Sequence, residues 1–90
     1  MDIFSFSVDF STVIKKISTK EKKTLIKFGK HLRELRLEKD LSQEDLNFNA
    51  DLSKNAVGLI ERGEINCSLL TMEALAHGLG ITKKKLMDYE

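Results

Sequence analysis

The chain has 90 residues, of which 41% are hydrophobic and 32% charged, and its 15 Lys+Arg against 14 Asp+Glu leave a net charge of +1. That length is one compact unit with no space for a separate catalytic or ligand-sensing domain, and the composition is that of a soluble globular domain, not of a disordered tail or a membrane-spanning chain. The near-neutral total argues against a nucleic-acid binder recognised by bulk basicity, so any such role must come from local charge.

Residues 1–17 read as an N-terminal arm of a different character from the rest. Phe4, Phe6, Val8 and Phe10 alternate with Ser5, Ser7, Asp9 and Ser11, the period-two pattern of a half-buried β-strand. Ile3, Phe6, Phe10, Val13 and Ile17 also fit a helical stripe, so periodicity leaves strand and helix both open. A lone strand would pair with its copy in a second chain, and either reading makes the arm a candidate dimerisation element. The apolar run has no basic residue before it and is interrupted by Asp9 and serines, so a signal peptide is not expected and a cytoplasmic protein is.

From Ser18 to the end the pattern is helical and closely punctuated, giving an expected 18–90 domain. Ser18 and Glu21 have the spacing of a capping box, and Leu25, Phe28, Leu32 and Leu35 form one apolar stripe on a helix to about Lys39. Asp40-Leu41 breaks it. Ser42 caps a second, short helix with Glu44 and Asp45 in its first turn and Leu46 and Ala50 inward. After Asp51-Leu52, Ser53 is the expected N-cap of a third helix that buries Val57 and Ile60 and ends at Gly63, in a left-handed cap. Ser68 starts a fourth helix with Leu69, Met72, Leu75, Ala76 and Leu79 inward, stopped at Gly80, and Thr82 caps a last one that buries Leu86 and Met87. Five helices with short links and no proline make an all-α unit.

Charge is unevenly spread over these elements. Residues 19–40 carry a net +4, with Lys20, Lys22, Lys23 and Lys27 at the front of the first helix, whereas residues 41–66 carry a net −3. One basic face is thus compatible with a neutral total. The single cysteine, Cys67, has no thiol partner, and His31 and His77 do not complete a zinc site, so no metal, redox group or other cofactor is expected. Cys67 reads as a packed thiol and the histidines as surface or boundary residues. An enzyme is not expected either, because nothing assembles a nucleophile, a base and an oxyanion donor.

The second and third helices, joined by a very short turn, have the arrangement in which one helix lies across a phosphate backbone and the next enters the major groove. L-S-Q-E-x-L from Leu41, S-x-x-x-V-x-x-I-E-R-G from Ser53 and N-x-S-L-x-T-M-x-x-L-A-x-x-L-G-I from Asn66 together resemble the Cro and phage-repressor-like (Xre-type) DNA-binding domains. The resemblance runs from about Phe28 to Met87 and leaves out the arm. It implies a five-helix, lambda-repressor-like helix-turn-helix fold.

It also implies roles for individual residues. Gln43 matches a glutamine that contacts a phosphate and often a base edge, and Ser53, Lys54 and Asn55 stand at the opening of the recognition helix, where side chains read bases. Arg62 matches a phosphate contact after that helix, with Asn66 as a neutral donor beside it. Arg36 and Glu61 match a structural pair tying the first helix to the end of the recognition helix. Gly58 and Leu59 occupy positions that are commonly polar or basic and groove-facing. Gly58 leaves room for close approach, and Leu59 suits either a thymine methyl or a protein surface. Cys67 replaces a usual proline.

The implied function is a sequence-specific double-stranded DNA-binding transcriptional regulator. It would act as a homodimeric repressor, joined through the arm or, as is common in the family, through the fourth and fifth helices, and would read a pseudo-palindromic operator through the helix around 54–62, with half-sites about 34 Å apart. Contact with RNA polymerase, as in the small restriction-modification controllers of this family, remains open beside occlusion of the promoter. The alternative is a helix-turn-helix scaffold used mainly for protein binding, such as an antitoxin or docking module, supported by Gly58, Leu59 and the Phe-rich arm.

Overall fold

The computed structural model describes residues 18–89, and the strand-or-helix question for the arm lies outside them. Among the described residues there are five helices: α1 (Thr19–Glu38), α2 (Gln43–Asn49), α3 (Ala56–Glu61), α4 (Leu69–Leu79) and α5 (Lys83–Met87). No strand is present among them, and none of the helices is long and apolar enough to cross a membrane.

Four of the five starts are set by a local side chain. Ser18 and Glu21 close a reciprocal capping box, as do Ser42 and Asp45. Ser68 accepts from the Thr71 N–H, and Thr82 from the Lys85 N–H. The third start corrects the expectation from sequence. Ser53 is not its N-cap. Ser53 accepts the Ala56 N–H through its carbonyl in a preceding turn, and Asn55, which takes the N-cap position, makes no side-chain capping bond. The Val57 N–H is instead taken by the side chain of Asn47, reaching over from α2.

The ends of α1 to α4 share one device. In each, a left-handed residue lets its own N–H and that of the next residue turn back onto the last carbonyls: Asp40 (φ 57°), Asp51 (φ 56°), Gly63 (φ 72°) and Gly80 (φ 70°). After α1, Asp40 and Leu41 donate to the carbonyls of Leu37 and Arg36, and the same double bond recurs after α2, α3 and α4. The chain therefore reverses within a few residues without proline.

The core consists of Leu32, Leu46, Val57, Ile60, Leu75 and Leu86, all essentially inaccessible, with Phe28, Leu35, Ala50, Ala76 and Leu79 around them. Each fully buried aliphatic side chain contributes roughly 1.5–3 kcal/mol. α1 packs on α3 and α5, and α2 on α3 and α4. Tyr89 closes one end by meeting Phe28 edge-on, with ring centroids 5.6 Å apart.

Two expected core members are outside. Leu69 is 82% and Met87 49% exposed, because each lies on its helix's apolar stripe at a point where no described element covers it. Both line a groove of about 370 Å³, together with Leu25, Phe28, Met72 and Leu86. Cys67 lines this groove, and burial pushes its thiol up to about 11.

Candidate nucleic-acid interface

The angle between α2 and α3 is fixed from two sides. At the turn, the buried Asn47 spends its whole amide on the connection: Nδ2 donates to the Lys54 carbonyl at 2.7 Å, and Oδ1 accepts the Val57 N–H at 2.9 Å. A single side chain thus holds the turn and starts α3. Sequence reasoning missed Asn47. The available signal was a polar residue set between the inward Leu46 and Ala50 on a very short helix.

At the opposite end stands a charged cluster. Arg36 donates from Nε to Glu61 Oε2 at 2.7 Å and from Nη2 to Glu61 Oε1 at 3.1 Å, a two-pronged pairing whose side chains are 8% and 4% exposed. Its Nη1 donates to the Leu41 carbonyl at 2.7 Å, so the guanidinium also satisfies the α1–α2 turn. Gln43, the first residue of α2, donates from Nε2 to Glu61 Oε1 at 3.0 Å. Three helices therefore meet on one carboxylate.

Gly29 is a second feature that sequence reasoning did not single out. A Cβ there would fall 2.5 Å from the Glu61 carbonyl oxygen and 2.6 Å from that of Ile60. α1 and the end of α3 touch backbone to backbone at this point, a spacing open only to glycine. Nothing local marks it, since a glycine inside a helix otherwise reads as a weak helix former.

The other residues singled out in the sequence distribute as follows. Ser53, Lys54 and Asn55 are exposed at the turn and the front of α3, and Asn66 is exposed in the loop beyond it. Gly58 is buried beneath neighbouring side chains: a Cβ on it would lie 3.1 Å from Gln43 Oε1 and 3.3 Å from Arg62 Nη1. Leu59 is half-buried. Arg62 is exposed and paired with Glu64, Nε to Oε2 at 2.8 Å, and this bond holds the Glu64 carboxyl below its ordinary range. Among the lysines at the front of α1, Lys22 donates to the Gly63 carbonyl at 2.6 Å. It thereby sets a positive charge at the end of α3, favourable to the helix dipole. Lys20, Lys23 and Lys27 are exposed. Of the three consecutive lysines 83–85 that open α5, Lys83 is paired with Glu73 at 2.9 Å.

What this arrangement can do chemically is present amides and cations on a rigid helix pair. Gln43 and Arg62 converge over Gly58, and Lys54 and Asn55 stand at the leading end of α3. Amide and guanidinium groups are those that bond base edges and phosphate oxygens.

Comparison with known proteins agrees with this geometry. A family model described as helix-turn-helix matches residues 32–86. The control protein C.MunI of a Mycoplasma species is 45% identical over 64 residues, covering 70% of this chain and 86% of the relative. The control protein C.BamHI of Bacillus amyloliquefaciens is 41% identical over 63 residues, covering 69% and 78%. Among solved structures, the restriction-modification controller protein C.AhdI from Aeromonas hydrophila superposes with a TM-score of 0.70 at 46% identity, over 72% of this chain and 98% of that one.

Proposed function

This chain belongs to the helix-turn-helix family of DNA-binding transcriptional regulators, and on that footing we propose that it is a controller-type regulator that binds its operator as a homodimer. It is a sequence-specific binder of double-stranded DNA and not an enzyme, in keeping with relatives that carry the names of control proteins and repressors. α3 is its recognition helix, with Lys54 and Asn55 reading base edges and Gln43 and Arg62 flanking them. Ser53 and Asn66 add neutral contacts at either end, and Lys20, Lys23 and Lys27 supply further charge for the phosphate backbone.

The single observation that carries this reading is the locking of α2 against α3 by Asn47 at one end and by the Arg36–Glu61–Gln43 cluster at the other. A rigid pair enters a groove without losing further conformational freedom on binding. The homodimer is best supported on the face where Leu69 and Met87 are exposed beside an apolar groove, a surface of the kind that marks self-association. Repression would follow from occlusion of the promoter. Contact with RNA polymerase has one supporting feature, Phe48, which is 85% exposed on α2.

Selection from random-sequence duplex DNA with the purified protein tests the reading. The expected product is a pseudo-palindrome whose half-sites are spaced by about one helical turn, roughly 34 Å. A pool that shows no enriched sequence refutes it.

A further inference from the structure

The bonds around Glu61 do more than join helices, because they also fix which way round the Gln43 amide sits. A carboxylate only accepts hydrogen bonds, and both Glu61 oxygens are already aimed at donors: Oε2 at Arg36 Nε, Oε1 at Arg36 Nη2 and Gln43 Nε2. Turning the Gln43 amide over would set its oxygen against a carboxylate oxygen. The nitrogen therefore faces Glu61 and the carbonyl faces away. Gly58 provides the room for this, since a Cβ there would stand only 3.1 Å from Gln43 Oε1. Arg62 Nη1 lies 3.3 Å from the same point, so a fixed acceptor and a cationic donor share the surface above Gly58.

We infer that Glu61 is a positioning residue for base recognition, which makes Gln43 present a hydrogen-bond acceptor and so favour a base bearing an exocyclic amino group. Phosphate oxygens accept, as do guanine O6 and N7 and thymine O4, so Oε1 has nothing to offer them, and the amide meets them only through its second Nε2 proton, at the end turned to Glu61. Adenine N6 and cytosine N4 donate in the major groove. Adenine fits better, because its N7 also accepts and the Arg62 guanidinium is the neighbouring donor. The inference rests on the DNA-binding reading given above.

The experiment takes the operator recovered by random-sequence selection and measures affinity for it and for every single base-pair variant. Wild type, Gln43→Ala and Glu61→Gln are compared. Wild type should prefer adenine or cytosine at one position of each half-site by roughly tenfold. Gln43→Ala should erase the preference at that position alone, and Glu61→Gln should erase it at the same position, since a neutral amide at 61 no longer dictates the orientation of Gln43. If Glu61→Gln lowers all affinities by one common factor and keeps the preference, Glu61 is only structural and the inference is overturned. If that variant does not fold, wild type on an operator whose preferred base lacks its exocyclic amino group decides: removing that donor should cost about tenfold in affinity, and an unchanged affinity overturns the inference. Gln43→Ala weakening every operator equally would make Gln43 a phosphate contact and overturn the inference with the DNA-binding reading intact, whereas an unenriched pool would remove both.

Discussion

Gly29 in α1 and Glu61 at the end of α3 meet main chain to main chain, and a Cβ on Gly29 would fall 2.5 Å from the Glu61 carbonyl oxygen. Gly29→Ala would raise helix propensity by about 1 kcal/mol in an isolated helix. Here the added methyl must part α1 from α3, and overpacking of this kind destabilises by about 1–3 kcal/mol. The variant should unfold at lower denaturant concentration than wild type. A midpoint at or above that of wild type would show that the two helices are free to separate.

The four left-handed helix ends should respond in opposite directions to substitution. At Asp40 and Asp51 a side chain already occupies a conformation that favours glycine, so Asp40→Gly and Asp51→Gly should each stabilise by up to about 1 kcal/mol. Gly80→Ala should destabilise by about 1 kcal/mol through φ alone, since a Cβ there meets nothing within 4 Å. Gly63→Ala should do more damage, because its Cβ would also lie 2.8 Å from Ile26 Cγ1 and 3.0 Å from the Ile26 nitrogen. Urea titrations of the four variants give the order directly.

In the proposed interface Glu64 competes with DNA for Arg62. The guanidinium is bonded to an exposed carboxylate that any phosphate would have to displace. Glu64→Gln should tighten DNA binding and steepen its salt dependence, by roughly one unit of log–log slope if Arg62 then engages one phosphate. Equal affinities and equal slopes for the two proteins would mean that Arg62 stays out of the interface.

Cys67 makes a pH prediction. Burial raises its thiol from 9.0 to about 11, so at neutral pH the native protein holds it protonated and iodoacetamide should modify it far more slowly than in denaturant. The unfolded chain releases this proton at lower pH than the folded one. The associated stability is therefore complete below pH 9, declines as pH rises towards 11 and is absent above it. Cys67→Ala should remove that decline. Native and denatured protein alkylating at one rate would contradict the burial.

The helices were largely legible in the sequence because their signals are local. Ser18, Ser42, Ser68 and Thr82 each cap through a partner three residues away, and the stripe through Phe28, Leu32 and Leu35 lies on one helix. The failures share a different cause. Ser53 has the residue type of an N-cap, yet the Ala56 N–H that its side chain would satisfy bonds to its own carbonyl, and the next free donor, the Val57 N–H, is taken by Asn47 from another helix. Leu69 and Met87 fit apolar stripes, but periodicity states which face is apolar and not whether anything covers it. Gly29 has no local signature because its constraint comes from a backbone more than thirty residues away. Within the candidate site, the residue types at Gln43, Arg36, Glu61 and Arg62 were readable by resemblance. So was the Arg36–Glu61 pair, but the arrival of Gln43 at the same carboxylate and of Arg62 over Gly58 was not, being a property of three helices together.

The same turned-back helix ends set where the chain can change in length. Between α1 and α2, α2 and α3, and α4 and α5, the reversing residues are held by main-chain bonds onto the preceding helix, so an inserted residue would break a cap and rotate the next helix off its core stripe. Between Glu64 and Ser68, Ile65 and Cys67 pack on the core, but residues 65–67 make no main-chain bond back onto α3, and Asn66 is exposed. Insertions, epitope tags and protease cuts that spare the fold should therefore concentrate there, at the junction between the recognition half and the half that carries the apolar face.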